Sequence, residues 1–117
     1  MSVPRIAAAS CPIERAVRVI GGRWKTMIVY HLLPGPLSYG HLRRRMGSCS
    51  ERVFVRQVRE LESDGVVERV ALGGNPPRVD YRLTPVGLEL HAMFAAMKEW
   101  GELHAEQAHD LVPPRAS

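Results

Sequence analysis

Arginine is the most frequent residue type in this chain among those whose side chains could bind another molecule. Three of the arginines, Arg52, Arg56 and Arg59, recur at spacings that place them on one face of a helix together with Val55. Arginine can fork onto a guanine edge or a phosphate, and an exposed valine can contact a thymine methyl group. Glu51 is the only acid among the 16 residues before Arg59, whereas a solvated helix usually alternates charges. We interpret this face as a DNA-contacting surface, with simple solvation as the alternative.

Further arginines flank this segment. Arg43 and Arg44 lie with Arg45 on the helix that precedes it, where they would be close to a DNA backbone; solvation explains such a run equally well. Arg78 adjoins the tip of a predicted hairpin, which can enter or straddle a minor groove. The alternative is an ordinary turn with a soluble arginine. Arg82 has no predicted DNA contact, because it can pair with a neighbouring acid.

The cysteines and histidines indicate no metal site or disulfide framework. Cys11 and Cys49 are far apart, and the five histidines are scattered. Cys11 lies at a predicted helix start, where the helix dipole favours a thiolate, although Glu14 opposes this effect and Arg15 partly offsets Glu14. Cys11 is therefore either a reactive thiol or a small packing residue. For Cys49, in a turn, we expect burial.

Composition favours a binding protein over an enzyme. The 117 residues carry a net charge of +4, and 14 of the 16 basic residues are arginine. Positions 1–85 hold 14 Lys and Arg against 7 Asp and Glu, whereas positions 86–117 hold 2 against 5. The two parts therefore face different partners. We find no nucleophile–base pair, phosphate loop, cofactor motif, signal peptide or membrane-spanning segment, and expect a cytoplasmic protein without cofactors.

The residue pattern predicts a mainly α fold with a small β-hairpin (α+β), a winged helix-turn-helix. Proline at position 12, Ser50 as an N-cap and Thr84-Pro85 mark helix starts. We expect a loose arm over 1–10, one domain over 11–108 and a flexible tail over 109–117. The predicted helices cover 12–20, 23–33, 40–46, 51–63 and 86–108, with strands at 66–72 and 79–83 around a tip at 73–77.

The last helix is apolar on two sides. Leu90 and Phe94 share one face with Met93, Met97, Trp100 and His104, while other apolar residues lie roughly opposite. One side can cover the domain, and the other needs a partner, most simply a second copy. A fully buried central helix is the alternative, but its charged residues disfavour it. The methionines could also line a small-molecule cavity between subunits, although core packing is the commoner role.

Five segments together resemble the HxlR family of bacterial regulators. They span positions 11–14, 20–25, 59–67, 76–84 and 99–101, in the order and spacing of that family. The resemblance implies a homodimeric transcription factor that binds a palindrome-like operator in double-stranded DNA. It implies that the helix at 50–63 enters the major groove, and that the first and last helices, with Ile13 and Val17, build the dimer.

The resemblance leaves two functional questions open. The family usually carries Ser or Thr where this chain has Val55, so the target sequence cannot be transferred from relatives. Some members sense oxidants or electrophiles through the cysteine that matches Cys11, and others carry that cysteine without a sensing role. We therefore expect a possible oxidant or small-molecule effector, with Cys11 as the candidate sensor. A winged-helix module that binds protein instead of DNA is the alternative function.

Overall fold

Helices form most of the structure, a computed structural model that describes residues 11–105. The arm at 1–10, the tail at 109–117 and the predicted helix end at 106–108 lie outside the described residues. The elements in chain order are α1 (Pro12–Ile20), α2 (Arg23–Leu32), β1 (Leu37–Ser38), α3 (Tyr39–Arg45), α4 (Glu51–Ser63), β2 (Val67–Gly73), β3 (Arg78–Leu83), α5 (Pro85–Leu88) and α6 (His91–Leu103). This order confirms the predicted mainly α fold with a small sheet.

Serine caps define the starts of α3 and α4. The Ser38 hydroxyl accepts a hydrogen bond from the backbone N–H of His41, and the Ser50 hydroxyl accepts one from the N–H of Val53. Each bond satisfies an amide that the first helical turn leaves without an intrahelical acceptor. The cap at Ser50 confirms the predicted start of the fourth helix.

The core lies where α2, α3 and α4 meet. Ile28 of α2, Leu42 of α3, and Phe54 and Leu61 of α4 are completely buried. Burying side chains of this size stabilises the fold by about 1.5–3 kcal/mol each, which fixes the angle between α3 and α4. The two helices of the predicted helix-turn-helix therefore form one rigid unit with α2.

A three-stranded antiparallel sheet forms the wing. The strand order is β1-β3-β2, and the residue pairs Leu37–Tyr81 and Val67–Leu83 set the register. From the sequence alone, β2 and β3 are expected to form a hairpin, and positions 37–39 are expected only as a short extended piece. Pairing of β1 with β3 instead ties the base of the wing to the start of α3.

The predicted single helix at 86–108 is wrong, because the chain turns between α5 and α6. The N–H groups of Glu89 and Leu90 bond to carbonyls three residues earlier, which is tighter than an α-helix. Gly87 packs against the Val66 carbonyl, which anchors α5 to the base of the wing. The turn then redirects α6 so that Phe94 reaches the core, where it is buried.

The spacing of Cys11 and Glu14 predicts a capping box at the start of α1, which the structure does not form. Cys11 makes no side-chain capping hydrogen bond. Glu14 instead accepts a hydrogen bond from Arg18, with Nη2 and Oε1 3.3 Å apart. An acid and an arginine four residues apart face each other on a helix, so this local pair replaces the reach back to the helix start.

Candidate nucleic-acid interface

Helix α4 has two chemically different faces, as the spacing predicted. Phe54, Val58 and Leu61 are buried, whereas Arg52 and the two later arginines of the helix are exposed. Val55 is half-buried at the border between the two faces. The structure therefore brings together the predicted set of Arg52, Val55, Arg56 and Arg59 along one shallow surface depression. Ser50 stands at the start of this face as its N-cap.

Tyr39 positions the beginning of α4, a role that sequence reasoning missed. Its hydroxyl donates a hydrogen bond to Oε1 of Glu51 over 2.9 Å, and its ring meets the edge of Phe54. Burial and the Glu51 carboxylate raise the pKa of Tyr39, which keeps the phenol protonated as the donor. Glu51, one of the two acids that line the same depression as the arginines, is therefore engaged in holding the helix start.

The three arginines of α3 occupy different surroundings. The Arg43 guanidinium lies over the Phe54 ring, 5.8 Å from its centroid, and is half-buried. Arg44 is exposed to solvent. Arg45 lines a groove against α6. Arg44 and Arg45 are both exposed and therefore accessible to a phosphate, whereas Arg43 has a packing role that the sequence did not predict. Their DNA contacts stay predictions.

Two ion pairs neutralise charge on the wing. Nε of Arg78 lies 3.2 Å from Oδ1 of Asp80, and Nε of Arg82 lies 3.1 Å from Oε2 of Glu68. Pairing of Arg82 with a neighbouring acid was predicted, but pairing of Arg78 was not. The sequence contained the information for the Arg78–Asp80 pair, because residues two apart in a strand project from the same side. The Arg78 side chain is still 62% exposed and accessible to another anion.

A surface hollow lies between the wing and α4. Arg59 of α4, Arg69 of β2 and Tyr81 of β3 all line it, together with Glu62 of α4. Arg69 lies directly opposite Tyr81 in the β2–β3 register. Arg69 flanks the hairpin tip in the sequence but was not selected as a DNA-contacting residue. That it lines the same hollow as Arg59 depends on the packing of the sheet against α4, which the local sequence pattern does not contain.

The two cysteines differ in access to reagents. Cys11 is exposed at the start of α1. Cys49 is buried at 2% exposure, with its sulfur 3.6 Å from the carbonyl oxygen of Ser50, which confirms the predicted burial. Only Cys11 of the pair is open to a dissolved oxidant or electrophile in this conformation.

Large apolar side chains are exposed on α1 and α6. Ile13 and Val17 of α1 are exposed, as are Met97 and Trp100 of α6, while Met93 is half-buried. The ring of His104 lies 5.1 Å from that of Trp100. These are the side chains predicted for a dimer interface, and each is accessible in the single chain.

Within residues 11–105 we find no cluster of three or more His, Cys, Asp or Glu side chains placed to hold a metal ion. None of the helices in that part of the chain is long and apolar enough to span a membrane.

This combination of helices and sheet defines a winged helix-turn-helix protein, with α3 and α4 as its two-helix motif. Residues 19–109 match the HxlR-like helix-turn-helix family, and the chain belongs to that family. Similar proteins include the HTH-type transcriptional regulators YybR and YdeP of Bacillus subtilis (strain 168). YybR is 42% identical to this chain, and the alignment covers 79% of this chain and 74% of YybR. YdeP is 36% identical, and the alignment covers 90% of this chain and 82% of YdeP. The relatives are transcriptional regulators and not enzymes.

Solved structures of redox regulators share the fold. The reduced form of HypR aligns with a TM-score of 0.81 at 38% identity, covering 86% of this chain and 99% of HypR. The oxidised form of HypR aligns with a TM-score of 0.74 at 42% identity, covering 79% and 95%. Diamide-treated YodB from B. subtilis aligns with a TM-score of 0.68 at 32% identity, covering 80% and 93%.

Proposed function

We propose that this chain is a homodimeric transcriptional regulator that binds a specific, palindrome-like DNA operator. Helix α4 lies in the major groove, and the wing contacts the flanking backbone or minor groove. The observation that carries the proposal is the exposed face of α4, where Arg52, Arg56 and Arg59 share one surface opposite a buried apolar face. Arginines on a rigid, exposed helix can reach base edges at no cost in folding.

Several contacts support separate roles for the surrounding residues. Ser50 is the N-cap of α4, and the free backbone amides at this helix terminus attract a DNA phosphate. Arg44 is exposed and can contact the DNA backbone as well. Val55 is partly accessible beside the arginines for a thymine methyl group. Arg43 and Arg78 add positive charge next to α4 and on the wing, although each already has a contact within the chain.

The decisive experiment is fluorescence anisotropy with duplex DNA from upstream of the protein's own gene. We expect Arg52→Ala and Arg56→Ala each to weaken specific binding by about 1–3 kcal/mol without lowering the melting temperature. Arg82→Ala is the matched control, since that arginine is also exposed but is bonded to Glu68. Equal affinity of both α4 variants and the control would favour the alternative module that binds protein instead.

Dimerisation through α1 and α6 completes the proposal. Trp100 is 57% exposed, Val17 55% and Ile13 75%, and such large apolar areas are seldom left in water on a monomer. Met93, Met97 and His104 extend the same surface along α6. By sedimentation, Trp100→Ala should shift the protein toward monomer, whereas Leu72→Ala on the wing, 52% exposed, should not. A dimer as tight as the wild type in Trp100→Ala would remove α6 from the interface.

We also propose a redox or electrophile response through Cys11. The similarity to HypR and YodB, whose structures are described as a redox regulator and as a diamide-treated protein, supports this, as does the exposure of Cys11. Diamide should change the DNA affinity of the wild type and of Cys49→Ser, but not that of Cys11→Ser. A response that persists in Cys11→Ser would exclude this cysteine as the sensor.

A further inference from the structure

A groove of about 450 Å³ separates α6 from the ends of α2 and α3. It lies away from the arginine face of α4, and none of the residues of that face lines it. Its walls include Tyr30 and His31 of α2, Arg45 of α3, and His91, Phe94 and Lys98 of α6.

The groove combines an apolar floor with positive charge. Phe94 is buried beneath it, and the Tyr30 ring forms part of its wall. Arg45 and Lys98 supply two cations from opposite sides, and no acid is among the described residues that line it. Two cations without a lining carboxylate attract an anion, while the aromatic floor favours a flat apolar body.

His31 adds a polar atom to the same wall. Burial, and then the nearby Arg45 guanidinium, lower the pKa of His31, which favours its neutral ring, and Arg45 and Lys98 are the permanently charged side chains of the groove. Its Nε2 atom is buried without a hydrogen-bond partner among the described residues. A polar ligand substituent that reached this atom would satisfy it.

The groove is also distinct from the proposed dimer surface. At 100° per residue, Ala95 and Lys98 lie on one side of Phe94, whereas Met97 and Trp100 lie on the other. Pairing through Trp100 therefore leaves the groove side of α6 accessible to a small molecule.

We infer that this groove binds a small organic anion with an apolar body, of which an aromatic carboxylate is the simplest form. The carboxylate lies between Arg45 and Lys98, and the ring stacks near Phe94. An occupant touches α3, which precedes the DNA-facing helix, and α6, which carries the dimer surface. Its use as an effector rests on the proposed function, whereas its binding does not.

Isothermal titration of the full chain with benzoate, at constant ionic strength and without DNA, tests the inference. We expect saturable binding of one benzoate per chain, and at least about tenfold weaker binding of benzamide, which has the same shape without the charge. Arg45→Gln and Lys98→Gln should each weaken benzoate binding about tenfold. The control Arg82→Gln removes an equal charge from the wing and should leave the affinity unchanged.

A second variant tests the location without altering charge. Ala95→Phe places a ring in the groove from an exposed position on α6, and it should abolish benzoate binding while the protein still binds DNA. Absence of saturable benzoate binding to the wild type, equal affinity for benzoate and benzamide, or unchanged binding to Ala95→Phe would each overturn the inference. Because no DNA is present in the titration, loss of DNA binding would leave this result intact.

Discussion

Nζ of Lys25 lies 3.3 Å from Oε1 of Glu60, and this ion pair joins α2 to α4. The lysine side chain is only 4% exposed, whereas that of Glu60 is 30% exposed. The two partners therefore differ in what their loss leaves behind. Removing the glutamate charge leaves a buried ammonium group, while removing the lysine leaves a carboxylate on a partly exposed side chain, with its Oε2 atom buried.

We expect Glu60→Gln to lower the free energy of unfolding by about 2–3 kcal/mol and Lys25→Met to lower it by less. In the Lys25→Met background, Glu60→Gln should cost less than about 0.5 kcal/mol, since the buried charge is gone. Urea denaturation at one protein concentration measures all three variants. Arg82→Gln, which breaks an exposed pair, should cost under about 1 kcal/mol. A larger loss for Lys25→Met than for Glu60→Gln would contradict the argument.

Replacement of Gly87 by alanine should destabilise the protein, although alanine has the higher helix propensity. Alanine is favoured over glycine inside a helix by about 1 kcal/mol. A Cβ atom at Gly87, however, would overlap the carbonyl oxygen of Val66 and come within 3.3 Å of Cβ of Leu83. We expect Gly87→Ala to destabilise the protein by about 2 kcal/mol or more, because α5 must move off the base of the wing.

The matched control is Gly101→Ala in α6, where nothing lies within 4 Å of an added Cβ. That substitution should be neutral or stabilise by up to about 1 kcal/mol. Thermal unfolding of both variants, at the same protein concentration, compares them directly. If Gly87→Ala melts at or above the wild-type temperature, α5 does not pack against Val66 as described.

Local pattern was sufficient to predict much of the candidate interface. The Ser50 cap and the separation of Phe54 from Arg56 follow from spacing within one helix, so α4 was predicted with its exposed face. The turn after α5 was not predicted, since residues 85–90 are compatible with a continuous helix and the deciding contact comes from Val66. Burial of Lys25 was missed for the same reason, because its partner lies 35 residues away.

The stability should depend on pH through His31. Burial, followed by the charge of Arg45, lowers the pKa of His31 in the folded chain, whereas the unfolded chain has the ordinary value near 6.5. The unfolded state therefore binds the proton more tightly. The contribution of His31 to stability is complete above pH 6.5 and is lost as the pH falls through that value toward the lower folded pKa.

Urea denaturation at pH 7.5 and pH 5.5 measures this loss. We expect the wild type to lose more stability between the two pH values than His31→Gln, which cannot take up the proton. All other titrating groups are common to both proteins, so the difference between them isolates His31. An equal loss in the two proteins would contradict the assignment.

The Arg78–Asp80 pair predicts opposite effects of two wing substitutions on DNA affinity. Asp80 holds the guanidinium of Arg78 with a 3.2 Å contact and is mostly buried, while the arginine is 62% exposed. If Arg78 contacts DNA, the carboxylate competes with phosphate for it. Asp80→Asn should then tighten binding about threefold at 0.1 M salt, and Arg78→Ala should weaken it by a similar factor.

Glu68→Gln separates this effect from net charge alone. It removes one negative charge from the same wing but releases Arg82, which has no proposed DNA contact. Anisotropy titrations over a range of salt should show a larger gain for Asp80→Asn than for Glu68→Gln, and that gain should shrink in the Arg78→Ala background. Equal gains from the two carboxylate substitutions would mean that the wing acts through overall charge, and Arg78 would lose its assigned contact.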